Sequence, residues 1–403
     1  MADQAARAAA QVHRKDRDGL AWLELDAPPL NALSQGLRAA LWQAVEGAEA
    51  DPAVRGLVIS AAGRSFPVGA DIAELDLPPQ SPGLPDLCDR IEACTKPVVA
   101  ALHGTALGGG LELALAAHGR VALATTRLGL PEVTLGLLPG AGGTQRLPRL
   151  IGAEQALRLM LTGRPVPAAE ALALGLLDRV VEGGLAAAAV AEIARLAALP
   201  ALPRGRERRE GLRDGLVYQR VVAEARRGLT DHRLPAPMRI VECVEAAQLL
   251  PFEAGRAFEA AAFDDLLASP ESAALRHVFR AERRAARFAE ARQSPLPLLP
   301  ALRRVGVQGA AQAELALPLL QAGLEVVLVD PNRARLVQGL ELLAARQEQA
   351  LAEGRLTPAA RDAEWGRLGS ALGAAALAEC GAVLVAEASL LPEAMEATAP
   401  GCL

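Results

Sequence analysis

Two glutamates stand out in the apolar, glycine-punctuated stretch Ala106–Leu147. Glu112 follows the triple glycine Gly108–Gly110 and opens the run LELALAA, which reads as a helix. Glu132 lies twenty positions on, in the Pro-containing turn GLPEVTLG, just before a second glycine cluster, Gly140–Gly143. A helix start leaves backbone N–H groups unpaired and carries the positive end of the helix dipole, so it can hold developing negative charge. With two acids among apolar neighbours, these are the parts needed to polarise a carbonyl and move a proton. Simpler roles compete. Glu112 could serve only as a first-turn acid on the helix dipole, worth under about 1 kcal/mol, and Glu132 only as an exposed turn residue. His103, at the end of an apolar strand, reads as structural, and Asp71 as a local hydrogen-bonding group.

The elements that must position these residues follow a strand–helix rhythm. Gly19–Pro28 alternates like a strand, Leu37–Glu49 has helical periodicity, and Val54–Ser60 reads as a second strand. Gly69–Leu75 is expected to start a helix, Leu84–Thr95 to form one that stops at Pro97, and Val98–Gly104 to be a buried strand feeding the glycine triplet. Val121–Ala124 and Leu128–Gly136 continue the rhythm, which points to an α/β architecture. Leu147 to about Leu199 reads as helical, and Arg204–Arg213 as a charge-dense helix with a solvated face. Leu234–Ala262 and Ser269–Arg287 also read as helical, and QSPLPLLP (Gln293–Pro300) as a boundary.

Four blocks then carry a family resemblance: PPLNAL (Pro28–Leu33), RSFPVGADI (Arg64–Ile72), HGTALGGGLELALA (His103–Ala116) and LGLPEVTLGLLPGAGGTQRLPRLIG (Leu128–Gly152). They resemble, in order and spacing, the crotonase superfamily of enoyl-CoA hydratases and isomerases, and most closely the hydratase half of multifunctional β-oxidation enzymes. The resemblance implies a crotonase-type spiral of ββα units (residues 1–200), a helical extension and linker (201–292), and a Pro-rich linker (293–303). It implies a partial Rossmann-like α/β module over 304–403. It further implies hydration of trans-2-enoyl-CoA to 3-hydroxyacyl-CoA, with Glu112 and Glu132 as catalytic base and acid. The oxyanion hole would be the backbone N–H groups of Ala70 and Gly109. Substrate-binding positions would be Gly69, Asp71, Ile72, Gly108, Pro131 and Gly140. The hydratase needs no metal and no cofactor, the acyl-CoA being its substrate. A Δ3–Δ2-enoyl-CoA isomerase of the same fold, and a non-catalytic acyl-CoA-binding or interaction subunit, are the alternative readings.

The last hundred residues resemble the opening half of the NAD-binding domain of 3-hydroxyacyl-CoA dehydrogenases: VGVQG (Val305–Gly309), LEVVLVD ending at Asp330, a helix from Arg333 to Glu353, and AVLVAEA (Ala382–Ala388). The dinucleotide fingerprint requires three small residues, and here they read Gly309, Ala311 and Glu314. A methyl group at the second position would obstruct the phosphates, and the third carboxylate is expected to crowd the helix–strand contact. NAD binding is therefore not expected, and the module reads as degenerate and truncated.

The 403 residues allow two or more domains, with 51% hydrophobic and 22% charged residues describing a globular chain. A net charge of −5 and 2% aromatics give no reason to expect a nucleic-acid or membrane partner. Five scattered cysteines and five dispersed histidines suggest neither a disulfide framework nor a zinc site. The N-terminus has no apolar secretory core, so a cytoplasmic protein is expected. The linker resemblance points to a monomer, with an oligomer left open, and to a β-oxidation enzyme as a partner.

Overall fold

Strands apolar on both faces form the centre of the N-terminal unit. In the computed structural model, which describes residues 10–230, 232–285, 302–352, 356–399 and 402, the chain divides into two units, Met1–Ala286 and Arg287–Leu403. The Pro-rich boundary at Gln293–Pro300 lies outside the described residues.

The first unit opens with β1 (Gln11–Arg17) and β2 (Leu20–Asp26), then α1 (Gln35–Ala50), β3 (Gly56–Ala61), α2 (Leu84–Glu92), β4 (Val98–Leu102) and β5 (Thr105–Leu107). There follow α3 (Gly109–Ala116), β6 (Gly119–Leu123), β7 (Arg127–Gly129), α4 (Gly143–Thr162), β8 (Val166–Pro167), α5 (Ala168–Ala173), β9 (Arg179–Val181) and α6 (Leu185–Ala197). The extension adds α7 (Gly215–Gly228), α8 (Ala236–Leu249), α9 (Phe252–Leu267) and α10 (Pro270–Ala285). The large sheet runs β1-β2-β3-β4-β6-β9 and the small one β5-β7-β8. β4 and β6 enter the large sheet and are followed at once by β5 and β7 in the small one, which is the ββα spiral. Leu57, Ile59, Val98, Ala100 and Leu102 face the main core. Val58, Val99 and Ala101 face Ala189, Ile193 and Leu196 of α6. Burial on both sides explains why β3 and β4 are continuous apolar runs, not alternating ones.

Several local expectations are corrected. β1 carries QVHRKDR, a charged edge strand with no apolar alternation, joined to β2 through Asp18–Gly19, both at positive φ. Gly69–Leu75 is not a helix: Ala70 bridges Leu33, and the chain then winds through turns closed by Glu74 N–H to Asp71 O and Leu77 N–H to Glu74 O. The stretch after Leu147 is not wholly helical, since β9 lies within it. Arg204–Arg213 forms two short 3-10 turns, Gly205–Glu207 and Glu210–Leu212. Its Arg206 is not merely solvated: it donates to Glu92 and Asp89 and lies over the Phe252 ring.

The second unit contains β10 (Arg304–Gln308), α11 (Ala316–Gln321), β11 (Glu325–Val329), α12 (Arg333–Ala352), α13 (Pro358–Trp365), β12 (Leu368–Ala371), β13 (Ala382–Val385) and α14 (Leu391–Ala397). Its sheet is all-parallel in the order β12-β11-β10-β13, the strand order of a doubly wound α/β half. The segment after Gly309 is a 3-10 run, Ala310–Leu315. Glu314 does not crowd the helix–strand contact: it is half-exposed and accepts from Arg346 Nε at 2.6 Å. The tight contact is made instead by Gly339 of α12, where a methyl group would meet Ala310 O at 3.0 Å and the Ala313 methyl at 3.1 Å. Among the described residues no helix is long and apolar enough to cross a membrane.

Candidate active site

Glu112 sits in the first turn of α3, a helix whose eight residues are all buried. The helix can enter the core because its start is glycine. Gly108 takes φ 53 and ψ −130, and a methyl group at Gly110 would fall 1.9 Å from Pro67 O. Glu112 Oε1 accepts the N–H groups of Ala141 (2.7 Å) and Gly143 (2.8 Å), so the second glycine cluster orients the first glutamate. A methyl group at Gly143 would lie 2.8 Å from the same oxygen. Burial, and then the nearby Glu259 carboxylate, push Glu112 up to about 7, against the opposing effect of the two amides.

Glu132 begins a 3-10 turn, Glu132–Leu135, after Pro131. Its Oε2 is fully enclosed and has no hydrogen-bond partner among the described residues. Burial and the Glu112 carboxylate hold it well above the usual carboxylate range. A methyl group at Gly108 would come within 3.0 Å of Glu132 Oε1 and 3.6 Å of Gly69 Cα. One at Gly109 would sit 3.3 Å from Ala70 N. The structure therefore gathers Gly69, Ala70, Gly108, Gly109, Glu112 and Glu132 at one place. Gly109 is the first residue of α3, a position whose N–H the helix itself leaves unpaired.

Other residues fall elsewhere. Asp71 Oδ1 accepts from Ala73 N–H at 3.0 Å, inside its own turn, and Ile72 follows it there, half-buried. Pro131 caps the Glu132 turn through its carbonyl, which accepts from Thr134. Gly140 faces Phe263 of α9, with 2.6 Å left for a methyl group, so its smallness serves packing against the extension. His103 Nε2 meets Gly63 O at 3.2 Å. His118 Nδ1 accepts from Val98 N–H, and burial lowers its ring to about 4. Among the described residues no group of three or more His, Cys, Asp or Glu could hold a metal ion.

The residue that sequence reading missed is Glu259. It is fully buried on α9 and accepts from Gly142 N–H (2.8 Å), Thr144 N–H (3.0 Å) and Thr144 Oγ1 (2.6 Å), with Arg256 as its ion partner. Its signal was present. Phe252, Gly255, Glu259, Ala262 and Leu266 form the buried stripe of α9, and a carboxylate in such a stripe needs a partner. The extension also latches onto the other half of the site. Ser272 Oγ donates to Leu135 O, and Arg276 and Arg280 pair with Asp76.

A spiral α/β domain with one buried and one half-buried acid beside a glycine-led helix start defines the crotonase class of acyl-thioester enzymes. Residues 15–202 match the enoyl-CoA hydratase/isomerase family. This domain belongs to that family. The peroxisomal bifunctional enzyme of Danio rerio is 37% identical over 343 residues, covering 82% of this chain and 46% of that protein. The fatty acid oxidation complex subunit alpha of Shewanella amazonensis is 39% identical over 294 residues, covering 66% of this chain and 40% of that protein. The chain thus spans less than half the length of these two relatives. The crystal structure of carnitinyl-CoA hydratase from Mycobacterium avium superposes with a TM-score of 0.51 at 29% identity, over 67% of this chain and 95% of that one.

Proposed function

We propose that this chain adds water to trans-2-enoyl-CoA, giving 3-hydroxyacyl-CoA, at the site formed by Glu112, Glu132, Ala70 and Gly109. The observation that carries the reading is the contrast between the two acids. Glu112 is held by two amides, which favour its carboxylate, whereas Glu132 has an enclosed oxygen with no hydrogen-bond partner among the described residues, which favours its neutral acid. Glu112 takes a proton from water as the oxygen bonds to C3. The C2–C3 π electrons move towards the thioester oxygen, which the Ala70 and Gly109 N–H groups stabilise, and Glu132 delivers its proton to C2. Each such N–H is worth about 3–4 kcal/mol in the transition state.

The second unit supports a different inference: its residues do not fit NAD. Asp330, where a ribose-binding acid would stand, already accepts from Ala310 N–H (2.9 Å) and Asn332 N–H (2.8 Å), with Arg335 at 3.3 Å. The amides after Gly309 belong to a 3-10 run, not to an α-helix start aimed at phosphate. On this reading residues 304–403 are a Rossmann-like unit without a dinucleotide, and the whole chain performs hydration alone.

The test follows loss of conjugated enoyl-thioester absorbance with crotonyl-CoA and decenoyl-CoA, first without and then with NAD. Turnover without NAD, and no NADH on its addition, is the expected result. Glu132→Gln should lower hydration at least a thousandfold with an unchanged circular dichroism spectrum. Wild-type turnover in that variant would remove Glu132 from the mechanism, and 3-enoyl-CoA turnover without hydroxyacyl product would make the enzyme an isomerase.

A further inference from the structure

The four amides from Ala141 to Thr144 are shared alternately between two carboxylates. Ala141 and Gly143 donate to Glu112, while Gly142 and Thr144 donate to Glu259. One strip of backbone therefore joins α3, in the spiral, to α9, in the helical extension. The side chain at 259 has no route to solvent, being fully buried, and every described partner it has is on this strip or on its own helix.

Resting on the hydration reading above, we propose that Glu259 is a positioning residue for Glu112. Its ionised carboxylate holds the 141–144 strip in the register that gives Glu112 two amides, and fixes a negative charge beside it that keeps Glu112 a strong enough base for water. The groups that face this pair are few. Burial opposes the charge on Glu259, while its ion pair with Arg256 of α9, the bonds from Thr144 and Gly142, and the more distant Arg146 of α4 favour it; Glu132 lies on its own turn. Cys88 of α2 faces Glu112 and Cys243 of α8 faces Glu259; burial keeps both thiols protonated. Glu259 raises Glu112 and Arg256 lowers it, so the two residues of one helical turn set opposite biases on the same base.

The experiment is the pH dependence of kcat/KM for crotonyl-CoA in the full chain, with wild type, Glu259→Gln, Glu259→Asp and Arg256→Gln. The acid limb reports ionisation of the base in the free enzyme. Removing the charge at 259 should move that limb down by about half a unit to one unit, alongside a loss in kcat. Glu259→Asp, which retains the charge, should leave the limb in place. Arg256→Gln should move it up. A Glu259→Gln enzyme that loses activity with its limb unmoved would make Glu259 purely structural and overturn the proposal while leaving the hydratase reading intact. If that variant gives no cooperative melt, Arg256→Gln decides: an upward limb supports the coupling and an unmoved one refutes it. A wild type that hydrates nothing sinks both ideas together.

Discussion

At the scale of single residues, the site stores unfavourable burial in its acids, and this sets a sign for stability. Glu112 has its folded-state value pushed to about 7 from an ordinary 4.5, by burial first and Glu259 second. Below about pH 4.5 the group is protonated in the folded and unfolded chains alike. As pH rises the unfolded chain ionises first, so stability is lost as pH climbs through the folded value, by on the order of 3 kcal/mol at pH 8. Glu112→Gln keeps an oxygen for the Ala141 and Gly143 amides and removes the charge. Its melting temperature should match wild type at pH 4.5 and exceed it by several degrees at pH 8. A variant less stable than wild type at both values would show that burial of this acid carries no such cost. Glu112 and Glu132 could be picked from the sequence as candidates because glycine clusters and family blocks frame them. Glu259 left only the weaker mark of an acid in an apolar stripe, because its partners lie 115 and 117 positions away, in a stretch that reads as glycine-rich and nothing more.

Elements are joined by a second buried acid with the opposite bias. Glu92 of α2 is fully buried and accepts from Arg146 of α4 (2.8 Å) and from Arg206 (2.6 Å), whose guanidinium groups both lie over Phe252 of α9. Burial alone would raise it, but the two guanidinium groups outweigh burial and hold Glu92 below its ordinary value. Its contribution is therefore present above about pH 4.5 and is lost as pH falls through the lowered folded value. Glu92→Gln should destabilise the protein by about 3 kcal/mol at pH 7, since the buried Arg146 loses its buried counter-charge and keeps only the half-exposed Asp89. The deficit should shrink in melts below pH 4. A loss that does not change with pH would assign the effect to packing. This network also explains a misreading: the Arg204–Arg213 run looks like a solvated face because sequence cannot show that Arg206 finds a buried carboxylate 114 positions earlier. β1 escaped notice for the converse reason. Its Asp18–Gly19 turn is a strong hairpin signal, but the strand beside it carries charge where alternation was sought.

For the whole molecule, the strand–helix rhythm of both units was readable, since apolar strands buried on two faces leave a mark in composition. Val307 and Leu328 face one core of the second unit, and Val327 and Val329 the other. What the rhythm could not reveal was the state of the turn between β10 and the residues after it. There Glu314 points outward to Arg346, so the obstacle to a dinucleotide is not crowding at that position. On the reading proposed above, the obstacle is Asp330, committed through both oxygens to the amides of Ala310 and Asn332. A ligand must displace those bonds to use the acid, and a buried carboxylate gives up such partners at a cost of about 1–3 kcal/mol each. The chain has three tryptophans, Trp22, Trp42 and Trp365, of which only Trp365 lies in the second unit. Titration with NADH should therefore give no saturable sensitised nicotinamide emission on tryptophan excitation, and millimolar NAD should leave the thermal midpoint unmoved. A ligand present at a hundred times its Kd would add about 2.7 kcal/mol to stability, a shift no melt would miss. If emission does saturate, the Ala310–Asp330 bond opens on binding, and Asp330→Ala should then weaken that emission while leaving enoyl-CoA hydration unchanged.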